Sequence, residues 1–366
     1  MSPAAPLRIA MFTGPERCGI AHYTIGLAVA MPPRIEVKLF RGTFDPQARA
    51  QHAASGTRLN DADIVHIQHE YAYWGGMGPG TGYFAFMQAI RKPVVMTVHE
   101  LDLRAVGTRG LPAPLERAYK RWLNRRMFTQ SPIRRWLTHS ADVSAALVSL
   151  GVPKHAIETL PVPVPSAAPM PPPEEAKAAL GLEGRRVLTI FGFLAWRKGY
   201  DLALQALARL PKDVTLLAAG GVHGADRTAP DRELLALAER LRVGERFRIT
   251  GYLAEAQVPV VFGATDLLLA PFHEVSGSAS LALGQAYGCP ILASDLPALW
   301  ESGAALFPAG DAAALAAAAA RLLAHPGERE RLAAASRSVA ARHSYRALAE
   351  RTAAIYQEVL SDAHRH

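Results

Sequence analysis

The chain has 366 residues, half of them apolar and a fifth charged, which is enough for two buried cores and too much for one ordinary domain. Only two cysteines occur, Cys18 and Cys289, excluding a disulfide framework or a four-cysteine zinc site and suiting a reducing cytoplasm. No apolar run reaches the ~18 residues of a spanning helix, the start lacks the pattern of a secretory leader, and the formal net charge of +8 calls for an anionic partner.

In chain order, residues 7–12, 36–40, 64–68 and 93–98 are short apolar stretches that stop at turn or polar residues. The pattern restarts at 186–191 and continues at 215–219, 247–250, 267–270 and 291–293. Strand-like runs separated by helical stretches of ~10–15 residues predict parallel sheets with crossover helices. The fold class is therefore α/β, with two doubly wound units. Between the two series lies 160–173, LPVPVPSAAPMPPP. Proline fixes φ and supplies no donor, so this segment reads as a stiff connection between domains. Residues 312–323 are nearly all alanine and leucine and predict a helix. Residues 344–360 predict a last amphipathic helix.

Ligands of open parallel sheets bind beyond the carboxyl ends of the strands. After the first predicted strand, Gly14 and Gly19 flank a turn that feeds a helix, without the GxGxxG fingerprint of a dinucleotide site. After the third come His66, His69, Tyr71, Tyr73 and Trp74, and after the fourth His99 and Glu100. No metal-ligand spacing connects these histidines, so no metal is expected. His66 shares a strand face with Ile64 and reads as a core histidine, whereas His69 and His99 stand at strand ends as site candidates. Asp61 and Asp63 spell a DxD, but they precede a strand and read as a turn.

In the second half, Arg197 and Lys198 stand adjacent at a helix entry, a fork and a point charge suited to a diphosphate. Ser276, Gly277, Ser278, Ala279 and Ser280 precede a predicted helix. A glycine there admits close backbone approach, and the N–H groups from Ser278 to Ser280 point out of the helix start as a phosphate cradle. Ser278 or Ser280 serves equally well as a plain N-cap. Glu274, beside an anion site, is best explained by a hydroxylated group that it holds.

With those pieces in order, the sequence resembles family 4 glycosyltransferases of the GT-B fold. The resemblance is carried by FGFLAWRKGYDLALQAL, LLAAGG, RITGYL and ATDLLLAPFHEVSGSASLALGQAYGCPILASDLPALWE, with CGIAHYT, ADIVHIQHEYAYWGG and VVMTVHE in the first half. It implies two Rossmann-like domains facing each other across a cleft. An acceptor domain would span 1–160 and a nucleotide-sugar domain 161–343, with residues 344–366 as a helix crossing back. It implies that Arg197 and Lys198 hold the donor diphosphate and that Gly277 and Ser278 bind phosphate through backbone N–H. Gly251, Tyr252 and Leu253 would line the base, Glu274 and His99 would face the donor sugar, and Gly19 would lie near the reaction centre. Transfer would be retaining, with no cofactor beyond the UDP- or GDP-linked donor. Two positions depart from the family: Ala282 or Leu283 stands where a second glutamate contacts the ribose, and Phe193 replaces a basic residue of the diphosphate loop.

The positive charge is concentrated. Nine basic residues and one acid, Glu116, fall between Arg104 and Arg135. Helical spacing puts Leu115, Tyr119, Trp122 and Leu123 on one face and Arg117, Lys120, Arg121 and Arg125 on the other. This helix either packs its apolar face on the first domain or meets an anionic membrane, at ~1 kcal/mol per basic residue. The membrane reading implies a lipid-linked saccharide acceptor and a peripheral place on the cytoplasmic side; nucleic acid is not expected. A non-catalytic binding module and a nucleotide-sugar epimerase are the alternatives to transfer.

Overall fold

The computed structural model describes residues 5–14, 19–42, 49–77, 81–103, 112–130, 132–222 and 229–363. The chain divides into two compact units, one formed by Met1–Pro161 with Tyr345–His366 and the other by Val162–Ser344.

Among the described residues, the first unit holds a six-stranded parallel sheet of β1 (Leu7–Thr13), β2 (Ile35–Arg41), β3 (Ile64–His69), β4 (Val94–Val98), β5 (Ile133–Thr138) and β6 (Ile157–Thr159), in the order β2-β1-β3-β4-β5-β6. The connections carry α1 (Gly19–Val29), α2 (Arg49–Arg58), α3 (Tyr83–Ala89), α4 (Ala113–Phe128) and α5 (Ala141–Ser149). Strands β3 and β4 are buried along their whole length, as expected for a parallel sheet covered on both faces. On one face Phe12, Trp74, Tyr83 and Phe86 build an aromatic core with Met127 and Phe128 of α4.

The second unit repeats the architecture with β7 (Arg186–Phe191), β8 (Val214–Ala219), β9 (Phe247–Ile249), β10 (Leu267–Ala270), β11 (Ile291–Ser294) and β12 (Ala305–Phe307), in the order β12-β11-β10-β7-β8-β9. Its helices are α6 (Pro173–Ala179), α7 (Tyr200–Leu207), α8 (Pro230–Arg240), α9 (Val258–Gly263), α10 (Ala279–Ala286), α11 (Ala312–Ala324) and α12 (Pro326–Arg342). The last helix, α13 (Tyr345–Ala363), belongs to the first unit. There Ala353, Ile355, Tyr356 and Val359 cover Ile9, Ile64, Val95 and Leu137 on the second sheet face.

The proline-rich segment contains the unit boundary at Pro161, pairs once through Val164 with Ser344, and ends where Pro173 opens α6. Proline suits that first helical position because no intrahelical partner awaits its missing N–H. Strands β5, β6 and β12 and helix α12 go beyond the predicted elements. In β5 the outward Arg134 and Arg135 interrupt the apolar run; Arg135 pairs with Asp362 at 2.9 Å. Strands β6 and β12 are three-residue edges, too short to show a period.

Candidate functional site

In the second unit the chain reverses its direction of strand addition between β7 and β10, the point where an open α/β sheet offers a crevice. The loops that leave these two strands carry the phosphate-binding candidates. After β7, Gly192 adopts φ +102°, and a side chain there would meet the Lys198 ammonium 2.7 Å away. Lys198 closes a short 3-10 turn, and Gly199, at φ +68°, starts α7 so close to the Pro271 carbonyl that a Cβ would lie 1.7 Å from its oxygen. Both glycines are therefore fixed by geometry.

Lys198 is buried. Its Nζ donates to the Phe191 carbonyl at 2.6 Å and to Ser280 Oγ at 2.8 Å, beneath the first turn of α10. Ser278 caps that helix, its Oγ accepting from Leu281 N–H at 3.2 Å and lying 3.0 Å from Ser280 Oγ. The N-cap reading of Ser278 is thus realised, and the N–H groups of Ala279 and Ser280, without an acceptor one turn back in α10, remain for an anion. Ala279 is exposed, while Ser276, Gly277 and Ser278 are half-buried. Burial, with the neighbouring Arg197 charge second, pulls the Lys198 ammonium down to about 7. An adjacent phosphate would push it back up, because its negative charge favours the ammonium form. Arg197 itself is exposed, and its carbonyl accepts from His273 N–H at 3.0 Å.

Glu274 is half-buried and already engaged. The preceding His273 is fixed on two sides: its ring stacks on Trp196 at 4.6 Å, and its Nε2 lies 2.8 Å from Asp201 Oδ1. Beside this corner the ends of β8 and β9 converge. A Cβ on Gly220 would lie 2.2 Å from the Gly192 carbonyl oxygen, and one on Gly221 would lie 3.0 Å from Tyr252 N. Gly251 takes φ +72°, Tyr252 is exposed, and Leu253 packs partly into the unit's core. The result is a shelf of close-packed backbone with one exposed ring. At the second-glutamate positions, Ala282 is buried and Leu283 packs against the apolar cluster around Phe272.

Gly19 and His99 belong to the first unit. Gly19 opens α1 with open space where a side chain would stand; Pro15, Glu16, Arg17 and Cys18 lie outside the described residues. His99 follows β4, half-buried. Its Nε2 lies 2.8 Å from the Gln68 amide, its Nδ1 3.2 Å from His139 Nε2, and Tyr23 packs edge-on at 4.9 Å. Burial, then the surrounding histidines, holds His99 well below the usual imidazole range.

The structure corrects His69 as a site candidate. It is fully buried among Tyr71, Trp74, Tyr83 and Phe128, and burial lowers its imidazole to about 3. The chain after β3 folds over the strand end as a turn carrying Tyr71 and Trp74, so the ring points into the core. His66 is a satisfied core histidine, between Tyr356 Oη at 2.6 Å and Thr97 Oγ1 at 2.8 Å. Asp63 serves a turn, accepting from Arg8 N–H at 2.9 Å and pairing with the Arg8 guanidinium at 3.0 Å. Among the described residues, no group of three His, Cys, Asp or Glu is placed to hold a metal.

Helix α4 is turned differently from the sequence expectation. Glu116, Lys120, Leu123, Asn124, Met127 and Phe128 face inward, while Leu115 and Trp122 are exposed beside Arg117, Arg121, Arg125 and Arg126. The reason is an ion pair: Lys120 meets Asp102 at 2.8 Å and Glu116 at 3.5 Å, which compensates the buried charge. Arg104 and Arg109 lie outside the described residues. His139 escaped sequence reading, because it follows β5, the strand that its arginines disguise.

Comparison with known proteins gives the family and the fold. Residues 12–168 match the family described as Glycosyltransferase Family 4, and residues 185–325 match Glycosyl transferases group 1. The 2-deoxystreptamine glucosyltransferase of Streptomyces kanamyceticus is 32% identical over 288 residues, 72% of this chain and 69% of that protein. A D-inositol 3-phosphate glycosyltransferase of Mycobacterium sp. (strain KMS) is 37% identical over 120 residues, 32% of this chain; the match spans only 27% of that relative's length. In fold, the chain is similar to Anabaena HepE in complex with UDP and glucose, at TM-score 0.76 and 16% identity over 96% of this chain and 100% of that one. Sucrose-phosphate synthase from Thermosynechococcus elongatus is similar at TM-score 0.72 and 19% identity, over 97% of this chain and 100% of that one. The chain belongs to the family 4 glycosyltransferases, and its fold is GT-B.

Proposed function

We propose that the protein transfers a hexosyl group from a uridine diphosphate sugar to a saccharide or lipid-linked saccharide, with retention at the anomeric carbon, in glycoconjugate or surface polysaccharide synthesis. The observation that carries this reading is Lys198, an ammonium buried under the N-terminus of α10 at the β7/β10 corner. In the reaction the bond between C1 of the sugar and the β-phosphate oxygen breaks, its electron pair leaving with the phosphate. The acceptor oxygen bonds C1 on the same face, and its proton passes to the departing phosphate. Lys198 and the α10 N–H groups stabilise that developing charge without a metal, which is electrostatic catalysis. Arg197 reaches the diphosphate from the exposed side, Tyr252 covers the base, and Glu274 holds sugar hydroxyls; His99 keeps the donor-sugar role that the family resemblance implies. The UDP in the Anabaena structure supports uridine over guanosine.

A thermal-shift panel of UDP, GDP, ADP and their sugar conjugates tests the donor class. A ligand at 100 times its Kd stabilises by about 2.7 kcal/mol, so one nucleoside diphosphate should stand out. If none does, the donor reading falls. The apolar Ala282 and Leu283 favour a second reading, a cleft that binds without transferring. Release of UDP from the donor in water, without acceptor, separates the two.

Exposed Leu115 and Trp122 among four exposed arginines also favour peripheral attachment of α4 to an anionic membrane on the cytoplasmic side. Part of this basic face is engaged within the protein: Arg121 donates to the Ser149 carbonyl at 2.7 Å, and the Arg126 guanidinium lies 4.9 Å from the Phe84 ring centre.

A further inference from the structure

The histidines at the ends of β4 and β5 form a chain in which each proton can be placed by elimination. His139 Nδ1 lies 2.9 Å from the carbonyl oxygen of Leu160, an atom that only accepts, so this nitrogen carries a hydrogen. A neutral imidazole has one hydrogen, which leaves His139 Nε2 bare. The atom facing it at 3.2 Å is His99 Nδ1, which must therefore carry the hydrogen that joins them. His99 Nε2 is then bare as well; Gln68 Oε1 lies 2.8 Å from it, and since two acceptors cannot bond, the proton placement requires the Gln68 amide to be turned end for end so that its nitrogen donates there.

The chain continues without conflict. The same exchange replaces Gln68 Nε2, 3.3 Å from His66 Nε2, by the amide oxygen, which accepts from His66 Nε2–H; that hydrogen is shared with Thr97 Oγ1 at 2.8 Å, and His66 Nδ1 accepts from Tyr356 O–H at 2.6 Å. If His99 took a second proton, the Gln68 amide would rotate to offer oxygen, yet the hydrogen on His99 Nδ1 would still point to His139. The surroundings disfavour that charged form: His66, His69 and His139 face His99, Tyr23 packs against both His99 and His139, and burial lowers all these imidazoles.

We propose that His139 is a positioning residue for His99, holding it in the Nδ1–H tautomer with Nε2 as a hydrogen-bond acceptor and anchoring its ring plane to the Leu160 carbonyl. Leu160 precedes the Pro161 boundary, so the anchor lies where the chain leaves the first unit. The inference rests on the reading of His99 as a donor-site residue only for its consequence in turnover; the proton placement stands on geometry. A His99 held this way accepts a hydrogen bond through Nε2 and cannot donate one there.

The test uses the full chain labelled with 15N-histidine, with long-range proton–nitrogen spectra recorded at pH 8 and signals assigned through His99→Asn and His139→Asn. The expected spectrum shows both His99 and His139 protonated at Nδ1 and bare at Nε2. A His99 protonated at Nε2 overturns the proposal, and this result needs no variant beyond the assignment. In His139→Gln, whose amide can either give or take the bond, His99 is expected to lose the single Nδ1–H form. Transferase turnover is expected to fall about tenfold or more, with UDP affinity unchanged. A variant that keeps the wild-type His99 signals, or the wild-type turnover, overturns the positioning role. If the wild-type protein turns over no donor while the spectra come out as expected, the transferase reading fails and the tautomer assignment stands.

Discussion

At the β7/β10 corner of the second unit the polar groups are a buried ammonium, two half-buried seryl hydroxyls and the start of a helix. At the ends of β3, β4 and β5 in the first unit they are neutral imidazoles joined to amide, hydroxyl and phenol partners. The scaffolds are alike, two six-stranded parallel sheets with crossover helices. The difference lies in what each corner asks of solvent. A buried ammonium, held close to its neutral form, favours an incoming anion. A chain of neutral histidines is complete in itself and is damaged by protons. One fold can thus be made responsive to phosphate at one sheet and to acid at the other, depending on which side chains follow the strands.

Acid gives the largest contrast. Burial holds His66 and His69 at about 3, against ~6.5 in an unfolded chain. Between these values the unfolded chain binds more protons, so stability falls as pH drops below ~6.5 and the loss levels off near pH 3. Each histidine contributes about 1.4 kcal/mol per pH unit, approaching ~5 kcal/mol at the bottom of the window. Hydrogen exchange resolved by peptide should show the first unit opening on acidification before the second. Simultaneous opening of both would break the comparison.

Removing the ammonium comes next. Lys198→Met is expected to weaken UDP binding by ~2–3 kcal/mol, about 30- to 150-fold, because a charge-assisted contact is lost. In the wild type the empty cradle holds Lys198 near 7, and bound diphosphate raises it. Binding therefore takes up a proton and weakens toward ~10-fold per unit as pH rises above about 7. Calorimetry across that range in buffers of different ionisation enthalpy checks the sign; pH-independent affinity would place the phosphate elsewhere.

Glu274→Gln is expected to lower turnover roughly 10- to 100-fold while shifting Tm by only a degree or two, since a half-buried carboxylate at a loop contributes little to the core. Parallel losses of turnover and fold would make it a structural residue. The smallest effect concerns α4. Reversing Arg117 or Arg125 should weaken binding to anionic vesicles by about 1 kcal/mol or somewhat more per residue at low salt, with no change on neutral vesicles. Insensitivity to charge and salt would remove the membrane face from the first unit.

Local signals carried much of this protein. Apolar-rich runs at 64–68, 186–191 and 267–270 form strands, because parallel strands covered on both faces favour near-continuous apolar sequence. The order of Lys198, Glu274, Gly277 and Ser278 around predicted strand ends was enough to mark one corner, because function in such sheets gathers at those ends. Sequence could not give the orientation of α4, since a buried Lys120 looks like a surface lysine until Asp102 and Glu116 are seen beside it. Nor could it distinguish His69 from His99: both end a strand, but a folded-over turn buries one and leaves the other half-accessible. His139 was invisible for the same reason, as its partners His99 and Leu160 lie 40 and 21 residues away. Periodicity and strand-end chemistry are properties of neighbouring residues, and the sequence determines them. The sign of a buried charge, the tautomer of a ring and the partner of a carbonyl depend on groups far apart in the chain, and only the tertiary structure decides them.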